Sequence, residues 1–339
     1  MNFKLPRNIL TFSLIVLLFN SCESNKKESN KDLVLEDKNT LFTLMSPGET
    51  GFDFINEVVN QKDFNIFKYR NFYNGGGVAI GDINNDGLPD IYLTANMGSN
   101  KLYLNKGDFK FEDITEKSGV AGNKPWSTGV NMVDVNNDGL LDIYVSNAGN
   151  MQGNNHDNDL YINNGDLTFT ESAEEYNLAK TGFSTHATFF DYDMDGDLDV
   201  YILNNSNIPV SSLGYAEQRD VRAQDWEGVP EIFRGVGDML LRNDNGKFVD
   251  VSEEANIYGS LIGFGLGVLI SDINNDLYPD IYVSNDFYER DYLYINNQDG
   301  TFTEDIMNWT SHLSLSAMGV DIADINNDGN ADIFITDML

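Results

Sequence analysis

The amino-acid sequence predicts an all-β chain: a β-propeller of four-stranded blades whose last unit is incomplete at the C-terminus. Three observations lead there. The nine-residue string DINNDGLPD at Asp82 recurs as DVNNDGLLD at Asp134, DYDMDGDLD at Asp191, DINNDLYPD at Asp272 and DINNDGNAD at Asp324. The starts lie 52, 57, 81 and 52 residues apart, so a unit of 52 to 57 residues repeats, with one insertion between the third and fourth copies. Around each string the residues read as short strands, four to a unit. Such a sheet cannot bury both faces alone, and radial stacking covers them with few exposed edges. A β-helix is the runner-up, but its repeats are much shorter than about 50 residues.

From the N-terminus, Lys4 and Arg7 precede the apolar run Ile9 to Phe19, an export signal too short for the ~20 residues that span a bilayer. The run ends at Ser21-Cys22, which resembles a bacterial lipobox, so residues 1 to 21 are expected to be removed and Cys22 to carry lipid. An ordinary cleaved signal with an incidental cysteine is the alternative. Residues 22 to 40 are polar and aperiodic, as in a disordered tether. Residues 42 to 52 resemble 111 to 120, the fourth-strand segment of the first unit, and are expected to supply the outer strand of the last blade.

Within each unit the first strand is marked by apolar residues four and two positions before the first Asp: Val78/Ile80, Val130/Met132, Ala187/Phe189, Val268/Ile270 and Val320/Ile322. That period of two is a strand signal. The second strand follows the string (DIYLTAN, DIYVSNA, DVYILNN, DIYVSND, DIFITDM), and its β-branched and aromatic residues favour a pleated surface. The third (KLYLNKG, DLYINNG, MLLRNDN, YLYINNQ) and fourth (FKFEDIT, LTFTESA, GKFVDVS, GTFTEDI) are joined by Asn/Gly/Asp turns. The fifth unit stops after its second strand, so the full ring is expected to hold more blades. A five-bladed ring with one defective blade is the alternative.

Composition narrows the chemistry. Lys plus Arg number 21 against 54 Asp plus Glu, a formal charge of −33, and such a surface repels nucleic acid. Hydrophobic residues at 41% put that charge on a folded scaffold rather than a disordered tail. One cysteine excludes an intrachain disulfide, a cysteine zinc site and an iron–sulfur cluster. Oxygen ligands and hard cations remain.

In each string, positions 1, 3, 5 and 9 bear Asp or Asn and position 7 can offer its backbone carbonyl. Calcium takes 6 to 8 oxygens in flexible geometry, and Gly at position 6 permits the sharp bend. The expected ligands are Asp82, Asn84, Asp86, Leu88 and Asp90 in the first loop, and Asp134, Asn136, Asp138, Leu140 and Asp142 in the second. The third offers Asp191, Asp193, Asp195, Asp197 and Asp199, the fourth Asp272, Asn274, Asp276, Tyr278 and Asp280, and the fifth Asp324, Asn326, Asp328, Asn330 and Asp332. An EF-hand needs a glutamate at position 12, where this chain has Leu93, Val145, Ile202, Val283 and Ile335. The fourth loop, with Leu277 in place of Gly, is expected to bind most weakly, and the third, richest in carboxylates, most tightly.

A Gly-rich first strand, the DxNxDGxxD loop and an LYxNNGDGTF-like hairpin together resemble FG-GAP/VCBS repeats, the propeller repeats of integrin alpha chains and of many bacterial surface lipoproteins. The resemblance covers about residues 41 to 339. Outside the loops, His186 stands where the other units have Gly77, Gly129, Gly267 and Gly319, and it projects toward the central channel or packs against a neighbouring blade; Asn131 and Asp321 lie two residues past that position. The insertion, residues 206 to 237, carries Arg219, Arg222, Trp226 and Arg234, residue types favoured at recognition surfaces. Nucleophilic catalysis finds no G-x-S-x-G elbow. The expectation is an exported, membrane-anchored, calcium-stabilised scaffold that binds protein or glycan, at the outer membrane, cell surface or periplasmic face. A calcium-dependent polysaccharide lyase or hydrolase is the alternative.

Overall fold

The computed structural model describes residues 41–149, 156–206, 219, 221–222, 237–259, 261–287 and 289–338. Two units divide the chain, the first ending at Leu44 and the second running from Met45. Of the first, the described residues 41–44 are exposed irregular chain.

The second unit is a run of antiparallel meanders. The first blade comprises β1 (Val78–Gly81), β2 (Asp90–Leu93), β3 (Lys101–Asn105) and β4 (Phe111–Asp113), and the second β5 (Ser127–Val133), β6 (Asp142–Asn147), β7 (Asp159–Asn163) and β8 (Phe169–Glu171). The third has β9 (Ser184–Phe190), β10 (Asp199–Asn204), β11 (Met239–Asn243) and β12 (Phe248–Asp250); the fourth has β13 (Gly265–Ser271), β14 (Asp280–Asn285), β15 (Tyr292–Asn296) and β16 (Phe302–Glu304). β17 (Ala317–Ala323) and β18 (Asp332–Asp337) form the two-stranded fifth. The first strands lie side by side, β1 by β5, β5 by β9, β9 by β13 and β13 by β17, as the inner strands of propeller blades do.

Cores lie between blades, which explains the period of two. Val130 and Val145 of the second blade pack with Tyr92, Leu102 and Leu104 of the first. Val200 and Ile202 of the third join Tyr144 and Leu160 of the second, and Val268 and Val283 of the fourth join Tyr201 and Leu240 of the third. Val130 is 4% exposed and Val268 2%, whereas the corresponding Val78 of the first blade is 58% exposed.

The junctions into the second, third and fourth blades each end in a left-handed residue near the start of that blade's fourth strand. After α2 (Thr115–Ser118), Gly119 has φ 76°. After α3 (Ala173–Tyr176), Asn177 has φ 61° and donates Nδ2–H to Phe248 O. Asn256, φ 60°, donates to Phe302 O at 3.4 Å. The last helical turn, α4 (Ile306–Trp309), which precedes β17, ends instead in extended Thr310. The expected outer strand over 42 to 52 takes the form of the left-handed junction instead. Pro47–Thr50 is a helical turn, α1, and the rest is irregular. Proline at the first helical position, Ser46 N–H donating to Glu49 Oε2 at 3.0 Å, and Gly51 at φ 75° favour that turn over a strand. A β-carbon on Gly51 would lie 2.4 Å from Phe111 O, so glycine is required there.

Between α1 and β1 the chain crosses the blades on an aromatic cluster of Tyr69, Phe72 and Trp126. A 3-10 turn, Arg70–Tyr73, then leads into Gly75–Gly77 and the first inner strand.

Candidate metal centres

The five aspartate loops follow the C-terminal ends of the inner strands and share one backbone design. In the first, Asp86 N–H and Gly87 N–H donate to the two oxygens of Asp82 at 3.1 and 2.7 Å, and Leu88 N–H donates to Asp86 Oδ1 at 2.9 Å. The second and fourth repeat these bonds through Asp134 and Asp138 and through Asp272 and Asp276. The expected bend at position 6 is present: Gly87, Gly139, Gly196 and Gly329 have φ 86° to 100°, and Leu277 is forced to 72°. A second left-handed residue stands at position 4, filled by Asn85, Asn137, Asn275 and Asn327 but by Met194 in the third loop.

The loops differ at position 3. Asn84, Asn136 and Asn274 each donate Nδ2–H to the position-5 carboxylate at 2.9 to 3.0 Å, which quiets a pair of neighbouring oxygens. Asp193 has no such hydrogen. Asp191, Asp193 and Asp195 bring a carboxylate oxygen each within 4.8 Å of one another, the one such acidic cluster among the described residues. Asp193 Oδ1 and Asp197 Oδ1 are buried without a hydrogen-bond partner. Burial first, and then the Asp195 charge, raise both pKa values above the ordinary carboxylate range. Buried, unpaired, mutually repelling oxygens suit a hard cation, which would be held by these carboxylates and would supply the missing positive charge. In the fourth loop, by contrast, Asp276 Oδ2 accepts from both Asn274 and Gln298.

Position 9 has a second task. Asp90, Asp142, Asp199 and Asp280 are fully buried, and each accepts two backbone N–H bonds. One comes from position 2 of its own loop, the other from the end of the third strand: Ile83 and Asn105, Val135 and Asn163, Tyr192 and Asn243, Ile273 and Asn296. Burial pushes Asp142 up to about 6 and Asp199 to about 7. In the fifth blade Asp332 accepts from Ile325 N–H.

The loops are also tied to one another. Asn163 Nδ2–H donates to Ile83 O in the first loop, and Asn296 does the same to Tyr192 O in the third. Asn85 donates to Gly139 O at 3.1 Å and Asn275 to Asn330 Oδ1 at 3.0 Å. No local pattern in the nine-residue strings reveals these ties, although the asparagine closing each third strand is a visible repeat.

Of the other candidates, His186 lines a cavity among the inner strands. Arg219 forms an ion pair with buried Glu289 at 2.7 Å, and Arg222 donates to Ile257 O, so both are engaged with their own chain. Cys22, Trp226 and Arg234 lie outside the described residues.

Repeated four-stranded blades with an aspartate loop after each inner strand define a repeat β-propeller. The chain belongs to the FG-GAP-like repeat family, whose model matches residues 82–145, 148–202 and 272–335, more than half of the sequence. It is similar to cartilage acidic protein 1 of Xenopus tropicalis, 35% identical over 136 residues (40% of this chain, 20% of that protein). The human protein of that name is 31% identical over 136 residues, covering 39% of this chain. The matched region thus spans about a fifth of the length of these relatives. A solved structure of an Agrocybe aegerita lectin, described as recognising non-reducing terminal N-acetylglucosamine, covers 76% of this chain and 73% of its own with a TM-score of 0.31 at 17% identity.

Proposed function

We propose that the chain is an exported calcium-binding propeller that acts as a surface scaffold for binding protein or glycan, anchored to a membrane through lipid on Cys22. The observation that supports calcium most is the third loop, where Asp193 and Asp197 bury unpartnered oxygens beside Asp191 and Asp195. Positions 1, 3, 5, 7 and 9 supply oxygens, and the position-9 carboxylate also ties the loop to its hairpin, so an ion there braces the blade as well as filling the loop. The role of the ion is structural. Extracellular modules bind calcium at ~10⁻⁴ to 10⁻³ M, which suffices outside the cytoplasm.

The test is thermal melting of the purified chain in calcium and after chelation, with calorimetric titration of calcium into the chelated protein. Melting is expected to fall on chelation and recover with calcium, and Asp193→Asn is expected to weaken the tightest site. An unchanged melt with no binding heat removes the calcium reading. For the anchor, metabolic labelling with a palmitate analogue is expected to mark the native chain and not Cys22→Ser.

A further inference from the structure

We infer that the cavity bounded by the inner strands β5, β9, β13 and β17 and by the segment entering β1 is a binding site for a neutral saccharide. It lies at the opposite ends of those strands from the aspartate loops. The proposal rests on the reading of the propeller as a binding scaffold and not on the metal.

The cavity measures about 470 Å³, within the ~300 to 1,000 Å³ usual for small-molecule sites. Four inner strands, β5, β9, β13 and β17, contribute to it, together with the turn and the Gly75–Gly77 segment that lead into β1. Where they approach most closely the chain carries Gly77, Gly129, Gly267 and Gly319, so the lining there is bare backbone. Each inner strand is the edge of its sheet, and a sheet edge presents a row of N–H donors and C=O acceptors. Some of these groups have partners already: Gly77 N–H donates to Thr94 Oγ1, and Thr128 O, Gly267 O and Gly319 O accept from the hydroxyls of Thr94, Ser284 and Thr336. The second lone pair of each carbonyl and the remaining edge groups match hydroxyls, which both donate and accept.

His186 interrupts the glycine column. Its ring is seated against the neighbouring blade, where a β-carbon on Gly129 would lie 2.6 Å from Nδ1, so Gly129 makes room for the imidazole. Burial alone lowers the His186 pKa, with no hydrogen bond or charge contributing among the described residues. A neutral imidazole offers one donor and one acceptor, again the pattern of a hydroxyl's partner.

Charge and shape narrow the ligand. None of the described lining residues is Asp, Glu, Lys or Arg, so a carboxylate or ammonium would be desolvated without a counter-charge. The formal charge of −33 further disfavours anions. Leu266, Leu269 and Met318 add apolar surface beside the backbone groups. A sugar, with C–H faces and a hydroxyl rim, is the class that meets both surfaces.

The test is histidine-selective NMR of the full calcium-loaded chain titrated with maltose, cellobiose and lactose, with glucuronate and glucosamine as charged controls. At least one neutral disaccharide is expected to shift the His186 resonance saturably while His156 and His312 stay in place. His186→Gly, which installs the residue of the other four units, is expected to weaken that binding about tenfold, the loss of one neutral hydrogen bond. Should His186→Gly not fold, His186→Gln serves, and its amide is expected to retain binding. The inference is overturned if no neutral disaccharide moves His186, if only the charged sugars do, or if the glycine variant binds as the native chain does. A His186 shift that persists in a protein whose melting ignores chelator would remove the calcium reading and leave this site standing.

Discussion

Met194 holds φ 62° at the loop position that asparagine fills in the other four. Left-handed backbone costs a non-glycine residue about 1 to 2 kcal/mol, and asparagine relieves part of it through local hydrogen bonds. Met194→Asn is therefore expected to stabilise the chelated protein by up to about 1 kcal/mol in urea unfolding, since the 53% exposed side chain forfeits little packing. Leu277→Gly, at φ 72° and 81% exposed, is expected to gain a similar amount. The strain at Leu277 was legible in the sequence because four sister loops place glycine there. That at Met194 was not, because asparagine at position 4 reads equally well as a ligand or a turn residue. His186 stood out against a column of glycines, but only the fold shows that its ring rests on Gly129.

A buried Asx immediately precedes each third strand, and in the second, third and fourth blades it bonds a tyrosine of the second strand. Asn158 donates to Tyr144 OH at 2.9 Å, whereas Tyr201 and Tyr282 donate to Asp238 and Asp291 at 2.9 and 2.8 Å. In the first blade Tyr92 donates to Val120 O; the matching carbonyl of the third, Ile257 O, is taken by Arg222. Tyr201 turns to Asp238 instead, whose pKa burial pushes up to about 7. With the folded value above the ordinary 3.8 of an aspartate, the stability of the neutral acid is fully present below about pH 4 and lost as pH rises toward 7. Asp238→Asn is thus expected to gain stability over the native chain progressively from pH 4 to 7 and to plateau above, as urea midpoints at pH 4.5, 6 and 8 will show. An equal shift at all three would sink this account. The strands were readable from repetition alone, since each recurs at a fixed offset from its loop. Arg222 with Ile257 was not, because a contact 35 residues apart leaves no local periodicity.

Across the assembled blades, stability comes from seams between sheets, so the cost of an apolar truncation depends on which seam it faces. Val130→Ala is expected to cost about 2 kcal/mol, and Val78→Ala, at the same repeat position but 58% exposed, within about 0.5 kcal/mol of nothing. Chemical denaturation of the two variants checks this directly. The hydrogen-bonded seams carry a further consequence. Asn163 presents both amide hydrogens to carbonyl oxygens, that of Ile83 in the preceding blade and that of Leu141 in its own. Spontaneous deamidation there would replace a double donor with a carboxylate that only accepts, aimed at two oxygens. Deamidation at Asn163 would therefore loosen the seam between the first and second blades, and at Asn296 the equivalent seam between the third and fourth, each marked by a one-dalton gain in mass.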